Sequence, residues 1–243
     1  MIEIDKFVIG VMPASRMFRV PSVVGLVIDK ILSERGGKML SDDYYSEVAS
    51  SNEKNSYKLL NNELGNSLII SLDNIIFTKD FYDKDYAFNY KQVVSEFTCI
   101  WQIINEYLKI SDIRRIGVLA EHQFNVEPQN SNKKLLDLLT VFAGYRHPAK
   151  FHLHFENRHS TPEGLAPDIE KSDYINVIYD VYDSEIDANH SKKGAVNANI
   201  DVQRYYSPLL KSNIPEQVSK INTIFQREKD DFESFLNKQG LLP

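Results

Sequence analysis

Apolar residues recur along this chain with two different periods, and the order in which those periods alternate leaves few folds open. After Lys150, three successive segments alternate apolar and polar residues: FHLHFENR at 151–158, YINVIYDVYDS at 174–184 and VNANIDVQRYYS at 196–207. A period of two places successive side chains on opposite faces of a strand, so the three segments predict an antiparallel meander. KQVVSEFTCIWQIINEYLKI at 91–110 instead sets Val93, Phe97, Ile100, Trp101, Ile104 and Leu108 on one helical stripe. The last long segment does the same with Val218, Ile221, Phe225, Phe232 and Phe235, and Pro215 suits the first turn of that helix.

The first half reads in the same two periods. EIDKFVIGVM at 3–12 predicts a strand, and PSVVGLVIDKIL at 21–32 predicts a helix capped by Ser22 and stopped by Gly36-Gly37. The polar passage 41–66 predicts a mobile loop broken by short strands. SLIISLDNIIFTKDF at 67–81 reads as two strands around a turn at Asp73-Asn74, IGVLA at 116–120 as another strand, and NSNKKLLDLLTVFAG as a helix closing at Gly144. The expected fold class is α+β, with antiparallel sheet covered by long amphipathic helices. It is one domain over 1–243, or two similar, intimately packed halves, 1–113 and 114–243, because strand, helix and strands recur in each.

Composition bounds the partners. A 243-residue chain with 42% hydrophobic residues, 13 Phe and 13 Tyr has the material for a large core. Its net charge of −6 repels a phosphate backbone, so nucleic acid is open only through a local basic patch drawn from Arg114-Arg115, Lys133-Lys134 and Lys192-Lys193. The single cysteine, Cys99, allows no internal disulfide and, with Trp101, falls within the helical segment 91–110, where both read as packing residues. No signal-peptide pattern and no apolar run of the ~20 residues that span a bilayer is present, so the expected location is cytoplasmic, without membrane contact.

One stretch, HPAKFHLHFENRHS at 147–160, holds four of the six histidines. Strand parity divides it: Phe151, Leu153 and Phe155 share a core face, while His152, His154, Glu156 and Arg158 share the other. Imidazoles at i and i+2 stand on one side of the pleat about 6–7 Å apart, close enough to hold one ion, with Glu156 as a third ligand. His152, His154 and Glu156 are therefore the candidate metal ligands. His147 precedes a proline, and His159 falls on the opposite parity. A solvated face with Glu156 and Arg158 paired is the bland reading of the same residues. No catalytic residue is assigned: Ala188 and Gly194 stand where an EF-hand loop from Asp183 needs Gly and Glu, PDIEK at 167–171 lacks the nuclease spacing, and nucleotide-binding, nucleophile-elbow and cysteine–metal motifs do not occur.

RRIGVLAEHQF at 114–124, directly after a long helix, together with NANIDVQRYY at 197–206 before a terminal amphipathic helix, resembles a sporadically distributed family of uncharacterised bacterial proteins of about 250 residues. Members carry an R-x-G-x-R-Y-x-N string at the first place and an I-D-x-D-like strand at the second. Arg115 and Gly117 match the first string; Ile200, Asp201 and Arg204 match the second; Leu119 to His122 stand where the family has R-Y-x-N. The resemblance implies an α+β fold, a bacterial or phage-associated setting, and Arg115, Asp201 and Arg204 as binding residues. The function expected is that of a non-catalytic interaction protein, a homodimer or accessory subunit of a bacterial complex with a place in anti-phage defence. Tyr44-Tyr45 and Tyr205-Tyr206 would then supply interface aromatics. No cofactor is expected on that reading. The alternative is a metal-dependent hydrolase or nuclease that uses a divalent metal at His152, His154 and Glu156.

Overall fold

The computed structural model describes residues 4–38, 40–51, 55–81, 86–125, 131–141, 150–159, 173–183, 195–211 and 213–240. Along the chain the elements are β1 (Lys6–Pro13), α1 (Val20–Lys38), β2 (Glu47–Ser51), β3 (Ser56–Asn61), β4 (Asn66–Ile70), β5 (Ile75–Asp80), α2 (Tyr90–Leu108), β6 (Ile113–Asn125), α3 (Ser131–Leu139), β7 (His152–His159), β8 (Tyr174–Asp183), β9 (Ala195–Leu210) and α4 (Ile214–Lys238). The fold is α+β. Among the described residues, nine strands join one sheet in the order β2-β3-β4-β5-β1-β6-β9-β8-β7, and each pairing is antiparallel.

The order has an internal logic. β1 and β6 lie side by side at the centre; from β1 the sheet runs outward through β5, β4, β3 and β2, and from β6 through β9, β8 and β7. Each run starts on its central strand, passes a helix, reaches the sheet edge, and returns strand by strand to its start before a closing helix. β1-α1-β2-β3-β4-β5-α2 and β6-α3-β7-β8-β9-α4 thus share one topology, differing by a single strand. Gly10 of β1 pairs directly with Gly117 of β6, each the fifth residue of its strand.

One face of the sheet carries the core. Phe7, Ile9 and Val11 of β1, Ile116, Val118 and Ala120 of β6, and Ile175, Val177 and Val181 of β8 are buried, as period two requires of a face under helices. Phe7 meets Tyr90 of α2 and Phe225 of α4 with ring centroids 6.1 and 5.9 Å apart, and Tyr179 meets Phe232 of α4 at 5.2 Å. Each such buried ring contributes about 1.5–3 kcal/mol. α2 opens on Asn89, whose side chain accepts from the Gln92 N–H, and ends on Lys109 at φ 52°. α1 packs on α2 and buries Val20, Val24, Val27 and Ile31.

Several expectations change. The passage 41–66 holds short strands as expected, β2, β3 and the first residue of β4, but these are paired members of the sheet, and Leu59 of β3 is buried in the core. α1 begins at Val20, ahead of Ser22, and runs through Gly36-Gly37 to Lys38. β6 is far longer than IGVLA, since β1 and β9 pair with it from both sides. Tyr44, Tyr45 and Tyr206 are buried and so offer no surface aromatics; the Tyr44 hydroxyl donates to Glu96 at 2.6 Å inside a buried group that also holds Lys79, 3.2 Å from the same carboxylate. Among the described residues, no helix is long and apolar enough to cross a membrane.

Candidate functional site

The other face of the sheet is where the chemistry-bearing side chains gather. Residues of the opposite parity, Val8 and Gly10 of β1, Arg115, Gly117 and Leu119 of β6, Asp201, Gln203 and Tyr205 of β9, and Tyr174, Ile178 and Asp180 of β8, are only partly buried, and Asn176 of β8 among them is buried.

At the β7 edge the two imidazoles converge on one carboxylate. β7 pairs with β8 so that His154 stands directly across from Asp180. His154 Nδ1 lies 2.8 Å and His152 Nε2 lies 2.7 Å from the same Asp180 Oδ1, and three donor atoms, one from each side chain, fall within 4.8 Å of one another. Both rings are about half exposed, at 48% and 47% of their side-chain surface. The hydrogen bond to Asp180 and its charge raise the His154 pKa. Glu156, named with the histidines on sequence grounds, sits differently: its Oε1 is 3.8 Å from His154 Nε2, while its Oε2 accepts from Asn176 Nδ2 at 3.0 Å. The carboxylate within reach of both imidazoles is Asp180, which comes from the neighbouring strand.

Arg115 and Asp201 line a shallow depression of about 200 Å³ at the centre of this face, together with Val8, Gly10, Ile76, Gly117, Leu119 and Gln203. The paired glycines form its floor: a Cβ built on Gly10 would meet nothing within 4 Å. Burial pushes the Asp201 carboxyl up to about 6, against the hydrogen bond from Gln203 and the Arg115 charge that favour the ionised form; Asp180 and Glu156 push it further up. Beside the depression runs a row in which Arg158 lies over Tyr174 at 4.9 Å, Tyr174 stacks on Tyr205 at 4.7 Å, and Arg115 lies over Tyr205 at 5.6 Å. Arg114, the other basic residue of its pair, has the opposite parity and is exposed.

Arg204 takes no part in this face. Its parity is that of the core side, where it pairs with Asp173 and lies over the Tyr206 ring at 4.8 Å. His159 likewise turns away, with Nε2 4.0 Å from Glu228 on α4. His147, Lys192-Lys193, PDIEK at 167–171 and the acidic positions 185 and 187 lie outside the described residues. Parity identifies His152 and His154 from sequence alone. Asp180 is not joined to the two histidines by parity, because which residues of β7 and β8 face each other is a matter of register that neither strand's own pattern sets, and the Gly10–Gly117 floor is missed because β1 and β6 are far apart in sequence. No protein-family model matches the chain, and no curated protein matches it.

Proposed function

We propose that this is a non-catalytic interaction protein, a homodimer or an accessory subunit of a larger complex, whose partner docks on the face of the sheet that holds the Gly10–Gly117 depression, lined among the described residues by strand and turn residues alone. The observation that carries this reading is the make-up of that face. A sheet face turned to water is ordinarily polar, whereas here Val8, Ile69, Ile76, Leu119 and Ile178 lie half-buried on it around the Gly10–Gly117 floor. Arg115, Asp201 and Gln203 line the same central depression, with Tyr205 hydrogen-bonded to Arg115, a mix of apolar, arginine and aromatic groups that suits a protein interface. The family resemblance supports a bacterial setting and, through scattered distribution, a place in an anti-phage complex.

Light scattering on the intact chain across a concentration series tests it, with Gly10→Tyr as the variant. The wild type should show a dimer mass, or keep a stoichiometric partner through purification from its natural host. Gly10→Tyr, which fills the depression without meeting a neighbour at Cβ, should leave the circular dichroism unchanged and abolish the association. A monomer at every concentration that retains no partner overturns the reading.

One observation favours a second reading, a metal-dependent hydrolase or nuclease: His152, His154 and Asp180 share a face with Asp201 and Arg115, groups suited to proton transfer and to holding an anion. It requires turnover of an ester or phosphodiester with added Zn²⁺ or Mn²⁺ that Asp180→Asn abolishes. Lack of turnover by metal-loaded protein across such substrates excludes it.

A further inference from the structure

We infer that His152, His154 and Asp180 bind one divalent first-row transition ion, and that Glu156 acts behind them as the carboxylate that orients His154. The site stands on its own geometry, whether the open face docks a partner or turns over a substrate.

The ligand set is built by the sheet. Residues i and i+2 of β7 place both imidazoles on one side of the pleat, and pairing with β8 brings Asp180 directly opposite His154 and diagonal to His152. Three donor atoms then lie within 4.8 Å of one another. An ion held at about 2.0–2.2 Å from each donor needs them somewhat more than 3 Å apart. The pairs at 2.7 and 2.8 Å must open slightly and the two imidazole nitrogens, within 4.8 Å of each other, must close on the ion, movements that rotation of two half-exposed rings would supply.

The ligand chemistry selects the class of ion. Two nitrogens and one oxygen do not suit Mg²⁺ or Ca²⁺, which take oxygen shells, and no thiolate is present to favour a soft monovalent ion. Imidazole with carboxylate suits Zn²⁺, Co²⁺ and Ni²⁺. Three protein ligands leave at least one position to water, and the exposure of both rings puts that position on the solvent side.

Glu156 completes the arrangement. With His154 Nδ1 turned to the ion, its Nε2–H faces Glu156 Oε1 at 3.8 Å, and Asn176 fixes the far oxygen of that carboxylate at 3.0 Å. A carboxylate behind a metal-bound imidazole holds the tautomer and ring orientation, and its loss typically weakens binding 10–100-fold. The Tyr182 ring supports His152 from the side, with centroids 5.4 Å apart.

Untagged full-length protein, stripped with a chelator, is titrated with Co²⁺ while the visible d–d bands are followed, and with Zn²⁺ by calorimetry. Saturable binding of one ion per chain is expected. His154→Ala and Asp180→Ala should each weaken it at least 100-fold, and Glu156→Gln about 10-fold; His159→Ala, on the other face of the sheet, should leave it unchanged. Thermal melts of the metal-free variants confirm that this exposed edge still folds. Lack of saturable binding, or equal losses in His159→Ala and His154→Ala, overturns the site. Since the titration reads the ion alone, its failure leaves the mass measurement standing and removes the hydrolase reading with it, whereas a monomeric mass or a lack of turnover leaves the ion site standing.

Discussion

At Asp201 burial works against charge. The carboxyl faces the open side of the sheet beside Arg115 and Gln203, yet desolvation outweighs both and lifts its pKa to about 6 from an ordinary 3.8. The folded state therefore binds this proton more tightly than the unfolded chain does. The stability that goes with the proton is fully present below about pH 4 and is lost as pH rises through about 6. Asp201→Asn keeps the shape and removes the titration, so metal-free Asp201→Asn should be more stable than wild type at pH 7.5 by about 1–2 kcal/mol, allowing for partial solvent screening. That advantage should vanish near pH 4, as read by urea denaturation at the two pH values. A wild type that gains on the variant between pH 4 and 7 would refute the sign. Residue type and strand parity place Asp201 on a face from sequence alone; its desolvation depends on β6, β8 and β9 lying together, which no local pattern records.

Among the elements, those that carry one strong period were legible. α2 buries the stripe its spacing sets; α4 buries Val218, Ile221, Phe225 and Phe232 but leaves Phe235 39% exposed, with Leu236 buried in its stead, and the meander of β7, β8 and β9 follows the three alternating segments. Two elements depart for definable reasons. β7 was to bury Phe151, Leu153 and Phe155, but it is the last strand of the sheet, with a neighbour on one side only. Phe151 is buried, Leu153 half-buried, and Phe155 remains 44% exposed, stacked on Tyr179 at 4.8 Å. β2 could not be placed within the polar passage, where only short strands were expected, because an edge strand has little to bury: all five of its residues are exposed, and the charged Glu47 suits such an edge. The candidate site shows the same division. Its two histidines sit on one strand and were readable together, whereas the third ligand depends on register, and register is a property of the pair of strands.

For the whole molecule, the shared topology of the two runs raises the question of whether each stands alone. The contacts at the centre argue that they do not. β1 pairs with β6 along its full length, so separating the runs exposes a long unpaired edge on each. Lys6 also bridges to Glu121 at 2.9 Å, and Phe7 packs at once on Tyr90 from its own run and Phe225 from the other. Parting them therefore uncovers core aromatics whose burial contributes about 1.5–3 kcal/mol each, a large fraction of the ~5–15 kcal/mol by which a typical domain is stable. The intact chain should accordingly unfold in urea in one transition, coincident by tryptophan fluorescence, which reports Trp101 in the first run, and by far-ultraviolet circular dichroism, which reports both. The fragments 1–111 and 112–243, produced separately, should lack a cooperative transition and associate when mixed. Two resolved transitions in the intact chain, or a fragment that melts cooperatively alone, would mean that the central pairing joins two self-sufficient halves.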